Sequence, residues 1–405
     1  MLVIATIASG TAALLLFVAW LRMRTPRELT PLASGLVALG PAASGKTVLL
    51  SSMFHSLNHP APPRPYHLEC DAESAAWLAV VQDKVRGTEG WPAPTLEGDM
   101  REVKFDCVGR GESGDRHTLF GIDYLDHAGE TLSTERFVRG SLPDLQRYVN
   151  GADALLGMID GSEVVRLLHD PTQRDYFNRR LRLMTHMMLR AKCPIQLVVT
   201  KWDLVHEFNA DATDVERLAS VWAALRSFPE IAGLVSHRAR HEVVRLIPVS
   251  AVGVGFAEQP DPSSPIVVKL GGGDPAPFNV EIPLAAVLPD LFAQVAGGLA
   301  GAQIARLDAG VREFGAREEL VRFAAIVLRD SLVPIPGHRA VAVGFLDWFE
   351  RRRPGSQAAP PRSEFELSDA ERCLRSTLYH FHSVMIDFDQ RFPSSVLRPA
   401  DDPHA

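Results

Sequence analysis

The chain is short of cysteine, of net basic charge and, near its start, of any charge at all. Each shortage removes a class of function. Four cysteines serve 405 residues. They stand far apart, at Cys70, Cys107, Cys193 and Cys373, with no C-x-x-C and no Cys/His cluster. Such spacing gives no zinc site, and a chain of this size has little use for a disulfide framework. Lys and Arg number 42 against 49 Asp and Glu, a net charge of −7. No general basic field exists to hold nucleic acid. No G-x-S-x-G elbow, H-E-x-x-H pair or internal repeat is present.

Residues 2–21, LVIATIASGTAALLLFVAWL, carry no charged side chain. Their length suits a helix crossing a bilayer. Arg22, Arg24 and Arg27 follow at once, and no Lys or Arg precedes. The positive-inside rule then keeps the C-terminal bulk in the cytoplasm, with Trp20 at the interface. A cleaved signal peptide is the rival reading, but its basic residues belong on the other side. The expectation is a single-pass membrane protein whose remaining residues face the cytosol.

What the rest contains is a globular composition, 46% hydrophobic and 22% charged, and one conspicuous loop. Residues 40–47 read GPAASGKT, matching G-x-x-x-x-G-K-S/T through Gly40, Gly45, Lys46 and Thr47. Glycines let the backbone curl so that N–H groups, those of Ala43, Ser44 and Val48 among them, point at phosphate oxygens. The Lys ammonium reaches the β/γ-phosphates, and the Thr hydroxyl ligates Mg²⁺. The run GLVAL before it reads as a strand. The run after it, TVLLSSMFHSL, reads as a helix, whose positive N-terminal end favours an anion.

Strands and helices alternate downstream. Strands are expected at 102–108, 118–126, 152–160, 194–200 and 243–250. Helices are expected at 72–85, 132–148 (interrupted at Pro143), 172–190 and 212–227. That alternation implies a mainly parallel sheet with helices on both faces, an α/β fold of the P-loop NTPase type. The chain divides into an anchor (1–24), a linker (25–34), a nucleotide-binding domain (35–310) with an insertion at 58–99, a helical extension (311–353), a linker (354–366) and a C-terminal amphipathic helix and tail (367–405). Within the insertion, 58–69 reads as Pro-rich and irregular. Residues 266–283 read as a hairpin or a long loop before a helix at about 284–310. In the last segment Ser368 and Glu371 form a capping box. Leu374, Leu378, Phe381, Met385 and Phe388 share one face, which packs on its own domain. Arg174, Arg179, Arg180, Arg182 and Arg190 lie on one helix and read as a solvated face, with a partner- or lipid-facing surface as the alternative.

Three short motifs follow the loop in order, each at the end of an expected strand, the edge where ligands bind in open α/β sheets. Asp126-His127-Ala128-Gly129 offers a carboxylate to Mg²⁺ and a glycine N–H to a γ-phosphate. Thr200-Lys201-Trp202-Asp203 offers a carboxylate that can accept two hydrogen bonds from guanine N1–H and the 2-amino group, with the Lys201 stem over the base. Ser250-Ala251 offers a backbone N–H to guanine O6. Across residues 35–255 the sequence resembles the Ras-like GTPases of the translation-factor-related class: GPAASGKT is similar to their phosphate loop, DHAG to the start of switch II, TKWD to their guanine motif and SA to their last base contact.

That resemblance implies GTP/GDP and Mg²⁺ as cofactors. It implies Lys46 and the residue after DxxG as catalytic groups, and Thr47, Asp126 and a switch I threonine as metal ligands. Thr95 is the choice for that threonine and Thr88 the alternative. Two departures stand out. Thr200 occupies the usual Asn position. Glu130 stands where a Gln often orients water, which implies slow or partner-dependent hydrolysis, with His127 or an unidentified regulatory or effector protein supplying what is missing. One membrane helix before a Ras-like domain is also similar in layout to the signal recognition particle receptor β subunit. The insertion and the C-terminal extension resemble the bacterial double-GTPase and GTPase-associated families. A non-hydrolysing, nucleotide-bound scaffold of a membrane or conflict-system complex is the second reading. An ATPase is the third, disfavoured because adenine gives Asp203 no partner.

Overall fold

The computed structural model describes residues 32–61, 64–93, 100–111, 114–127, 141–271, 274–287 and 369–399. The expected anchor (1–24), the extension (311–353) and the linker (354–366) lie outside these residues. Among the described residues no single helix is long and apolar enough to cross a membrane.

Eight strands form one sheet in the order β10-β7-β6-β5-β1-β4-β3-β2. The core strands are β1 (Leu32–Leu39), β4 (Arg116–His127), β5 (Ala154–Asp160), β6 (Ile195–Thr200) and β7 (Val244–Pro248). All of these pair in parallel. Helices cover both sides. Burial on two faces explains why β5 and β6 are buried at every position and read as continuous apolar runs. The hairpin strand β3 (Met100–Arg110) pairs antiparallel with β4. Val103, Phe105 and Cys107 point inward while Glu102, Lys104 and Asp106 face out or lie half-exposed, the period-two pattern of a strand with one wet face.

Two of the differences from the expected boundaries change the sheet. β1 begins at Leu32, because its pairing with β4 starts at Leu32↔Phe120, so the last three residues of the expected linker are strand. The Pro-rich stretch 58–69 ends in a strand, β2 (Tyr66–Cys70), paired antiparallel with β3 at the sheet edge. It leads into α2 (Ala72–Arg86), capped by the Asp71 carboxylate accepting from Ser74 N–H.

α1 (Lys46–Leu57) buries Leu49, Leu50, Met53, Phe54 and Leu57, the i, i+1, i+4, i+5, i+8 stripe of a helix lying on a sheet. The other described helices are α3 (Ser141–Gly151), α4 (Gly161–His169), α5 (Arg174–Arg190), α6 (Trp202–Phe208), α7 (Asp214–Arg226) and α8 (Pro229–Arg238). Pro143 falls in the first turn of α3, where a missing N–H costs nothing. The C-terminal helix α9 (Asp369–Arg391) is not a detached tail. Leu378, Phe381, Met385 and Phe388 are buried, each such side chain worth about 2 kcal/mol out of water. Phe381 meets Tyr66 at 4.8 Å and Phe120 at 6.4 Å between ring centroids. A 23-residue helix runs roughly 34 Å, enough to cross the sheet from β3 and β4 and deliver β10 (Val396–Leu397) to the far edge of β7.

Candidate functional site

β1 is flanked by β4 on one side and β5 on the other, so the chain leaves its C-terminal end at the point where strand order reverses. Crevices form there, and residues 40–47 occupy it. Gly45 caps α1 at φ 79°, ψ 15°, a left-handed conformation that a Cβ disfavours. Ala43 also takes a left-handed φ of 61°. The Lys46 ammonium folds over the loop and donates to the Gly40 and Pro41 carbonyls at 2.9 and 3.1 Å. Burial lowers its pKa to about 8. Asp126 opposes that shift, and Arg180 adds to it. The chain has an α/β, P-loop-like fold.

Thr47 and Asp126 come together as the sequence implies: Thr47 Oγ1 donates to Asp126 Oδ2 at 2.6 Å. Burial raises the Asp126 pKa, held back by the Thr47 hydroxyl and by Lys46. Its Oδ1 is buried with no hydrogen-bond partner among the described residues. Oxygen donors of this kind fit Mg²⁺, which takes one or two protein oxygens and completes its shell with phosphate and water. Thr95, Gly129 and Glu130 lie outside the described residues.

The second motif lands beside the first. Thr200 Oγ1 donates to the Ser44 carbonyl at 2.7 Å and stands 3.1 Å from the Ile159 carbonyl. The hydroxyl that replaces the usual Asn therefore ties the strand end of β6 to the loop. Lys201 is left-handed at φ 50° and caps α6. Its ammonium is held by Asp160 Oδ2 at 2.9 Å and Ser162 Oγ at 3.3 Å. Asp160 also accepts from Ser162 N–H at 2.9 Å, capping α4. A Cβ on Gly161 would lie 2.2 Å from the Thr200 carbonyl, so only glycine lets β5 turn this close to β6.

Asp203 is buried, and Ser250 Oγ donates to its Oδ1 at 2.5 Å. Burial raises its pKa to about 6, with the Ser250 hydroxyl pulling the other way. Ser250 Oγ in turn accepts from Gly253 N–H at 2.7 Å. The Ser250 hydroxyl thus supports Asp203 from behind, a role the sequence reading did not give it, and the Ser250 backbone N–H donates to the Phe278 carbonyl at 3.1 Å. The hydroxyl has the proton a carboxylate needs, and it is buried behind the cavity wall. Ala251 does line the cavity.

The cavity measures about 300 Å³, within the size range of small-molecule sites. The loop residues Ala43 to Val48 line one end, and Thr200, Lys201, Asp203 and Ala251 line the other. Gly40 sits behind the loop, its carbonyl turned to Lys46. Three contributions escaped the sequence reading. Asp160 orients Lys201; a D-G-S-E run after an apolar strand is a helix-cap signal that marks it. Arg180 leaves the solvated face of α5 and donates to the Ala42 carbonyl at 2.6 Å, whereas Arg174, Arg179, Arg182 and Arg190 stay exposed. Trp91, Pro92, Pro265 and Val267 wall the cavity without any motif to announce them.

No protein-family model matches the chain, and no curated protein matches it. Among solved structures it is similar to the crystal structure of the S. cerevisiae Ski7 GTPase-like domain, bound to GDP and inorganic phosphate. The TM-score is 0.35 at 14% identity, over 55% of this chain and 43% of that one. The match therefore spans less than half the length of that relative.

Proposed function

We propose that this chain binds a guanine nucleotide with Mg²⁺ and hydrolyses GTP slowly, as a switch that takes up or releases a partner protein. One observation carries the reading: a phosphate loop and a buried, ionisable Asp203 face one cavity, joined by the Thr200–Ser44 hydrogen bond. Lys46 would balance β/γ-phosphate charge. Thr47 and Asp126 would hold Mg²⁺, which when bound supplies further positive charge to the phosphates. Asp203 would read guanine through N1–H and the 2-amino group. The apolar residues 2–21, with arginines behind them, support anchorage to a membrane with the nucleotide domain on the cytoplasmic side.

The test uses the full chain in mild detergent with Mg²⁺. A fluorescent GDP analogue is displaced by unlabelled GTP, ATP and XTP, in wild type and in Asp203→Asn. The expected result is preference for GTP in the wild type and a shift toward XTP in the variant. Equal displacement by ATP refutes guanine recognition.

Glu130 favours a second reading. A carboxylate in place of a water-orienting amide adds negative charge beside a triphosphate, so binding without turnover would leave a nucleotide-locked scaffold. Multiple-turnover phosphate release separates the two, since a scaffold gives none.

A further inference from the structure

The segment after the SA motif crosses the cavity and is fastened at both ends. Its strands β8 (Ala257–Glu258) and β9 (Val268–Lys269) pair antiparallel. At one end Gln259 donates to the Ser162 carbonyl at 3.2 Å, and Arg166 of α4 donates to the Ser263 carbonyl at 2.9 Å. At the other end the Lys269 ammonium reaches the carbonyls of Lys84, Gly87, Glu89 and Gly90 at 2.5, 2.9, 2.9 and 3.3 Å. It also lies 5.1 Å from the Trp91 ring centroid. Trp91 Nε1 donates to the Val267 carbonyl at 2.9 Å. Four carbonyls around three ammonium protons make a socket that only a cation fills. It ties the loop after α2 to the hairpin, and both line the cavity.

We propose that residues 257–269 form a strap over the nucleoside end of the cavity and that Lys269 is the positioning residue that latches it, setting how long a bound nucleotide stays. The strap's apolar burial is limited to its base, where Ala257 is buried, and to Val267, which packs partly on the core; Ile266 is 64% and Val268 37% exposed. Segments held by few buried contacts open locally without global unfolding. The polar fastenings supply most of what holds this one shut beyond Ala257 and Val267. Trp91, Pro92, Pro265 and Val267 all line the cavity, and Trp91 meets Val267 directly, so opening the latch loosens this wall and leaves the phosphate loop intact.

The inference rests on the nucleotide reading above, and the experiment separates the two. Full-length protein is loaded with a fluorescent GDP analogue and chased with excess unlabelled GDP, in wild type and in Lys269→Met, which keeps the aliphatic stem and removes the charge. Dissociation is expected to quicken at least tenfold, with association changing less. A variant that merely lowers the folded fraction loses binding amplitude and association, but intact molecules still release at the wild-type rate. Gln259→Ala loosens the opposite fastening and is expected to quicken release about threefold. It serves as the test if Lys269→Met does not fold. Release within twofold of wild type in the folded variant overturns the latch. Failure of the wild type to bind any nucleotide overturns the nucleotide reading and the latch with it.

Discussion

The two ends of the cavity are built in opposite ways. The end proposed to take phosphate is local: consecutive residues Ala42 to Leu49 line it, backed by Gly40 and by Asp126 at the end of β4. The end proposed to take the nucleoside is gathered from segments far apart in the chain: 91–93, then Lys201, Asp203 and Leu204, then Ala251, Val252 and Ala257, then Pro265 and Val267. A local loop has its shape imposed by its own backbone, through Gly45 and the α1 N-terminus. An assembled end has its shape imposed by whatever fastens the pieces, here the Ser250–Asp203, Lys201–Asp160 and Lys269–carbonyl contacts. The phosphate end should therefore respond to substitution through charge, and the nucleoside end through positioning and protonation.

The largest effect belongs to the phosphate end. Lys46→Ala removes the one ammonium folded over the loop, and loss of a buried charge contact of this kind costs about 3–4 kcal/mol. Affinity for GTP and GDP should fall a few hundred-fold in equilibrium titration, with thermal stability little changed. Unaltered affinity would mean that residues 40–47 are a turn and that the comparison has no phosphate end.

The nucleoside end should show the reverse, function held at the expense of stability. The Asp203 pKa rises from 3.8 in the free side chain to about 6 in the fold, so at neutral pH its buried charge costs on the order of 3 kcal/mol. An acid with a raised folded pKa imposes nothing below the unfolded pKa. Its cost grows from about pH 4 to pH 6 and stays level above. Asp203→Asn should therefore stabilise the nucleotide-free protein at pH 7 and leave stability near pH 4 unchanged, as read by denaturant unfolding. An equal or lower midpoint at pH 7 would show that the carboxylate is not strained by burial.

Thr200 joins the two ends, so its loss should touch both. Thr200→Val keeps the shape and strands the Ser44 carbonyl, at about 1–2 kcal/mol. GTP and GDP affinity should fall about tenfold, and the unfolding midpoint should drop in the same variant. A loss of base preference with phosphate binding intact would place Thr200 at the nucleoside end alone.

The same contrast decides what the sequence could tell. Gly45, Lys46, Thr47, Asp126 and Asp203 were legible because each answers a rule of local chemistry; the structure lines one cavity with Gly45, Lys46, Thr47 and Asp203 and sets Asp126 behind Thr47. The apolar stripe of α9 was legible too, since its period shows which face is buried. β2 was not: the prolines before Tyr66 hide a strand whose existence depends on pairing with β3. The latch was not legible either. Lys269 contacts carbonyls about 180 positions upstream, and backbone oxygens carry no sequence signature. Residues 266–283 could therefore be read only as a hairpin or a loop. The role of the Ser250 hydroxyl was not legible, because strand-end position does not tell that this side chain reaches the Asp203 carboxylate.

The pH dependence of binding is the most specific expected effect. In the free protein Asp203 takes up a proton below about pH 6, and a protonated carboxyl must shed it before accepting guanine N1–H and the 2-amino group. Each pH unit below that point costs 1.36 kcal/mol of binding, so GDP should bind about tenfold more weakly at pH 5 than at pH 7. Phosphate groups on the nucleotide titrate as well, but identically for every protein variant. The difference between wild type and Asp203→Asn cancels that contribution, and the acid arm should vanish in the variant. At the other extreme Lys46, with its pKa lowered to about 8, begins to lose charge, and affinity for the anionic ligand should fall as pH rises past that value. An acid arm that persists in Asp203→Asn would assign the proton to the phosphate end, where the buried Asp126 carboxyl also has a raised pKa. The charge-versus-positioning division between the two ends would then fail at its most sensitive point.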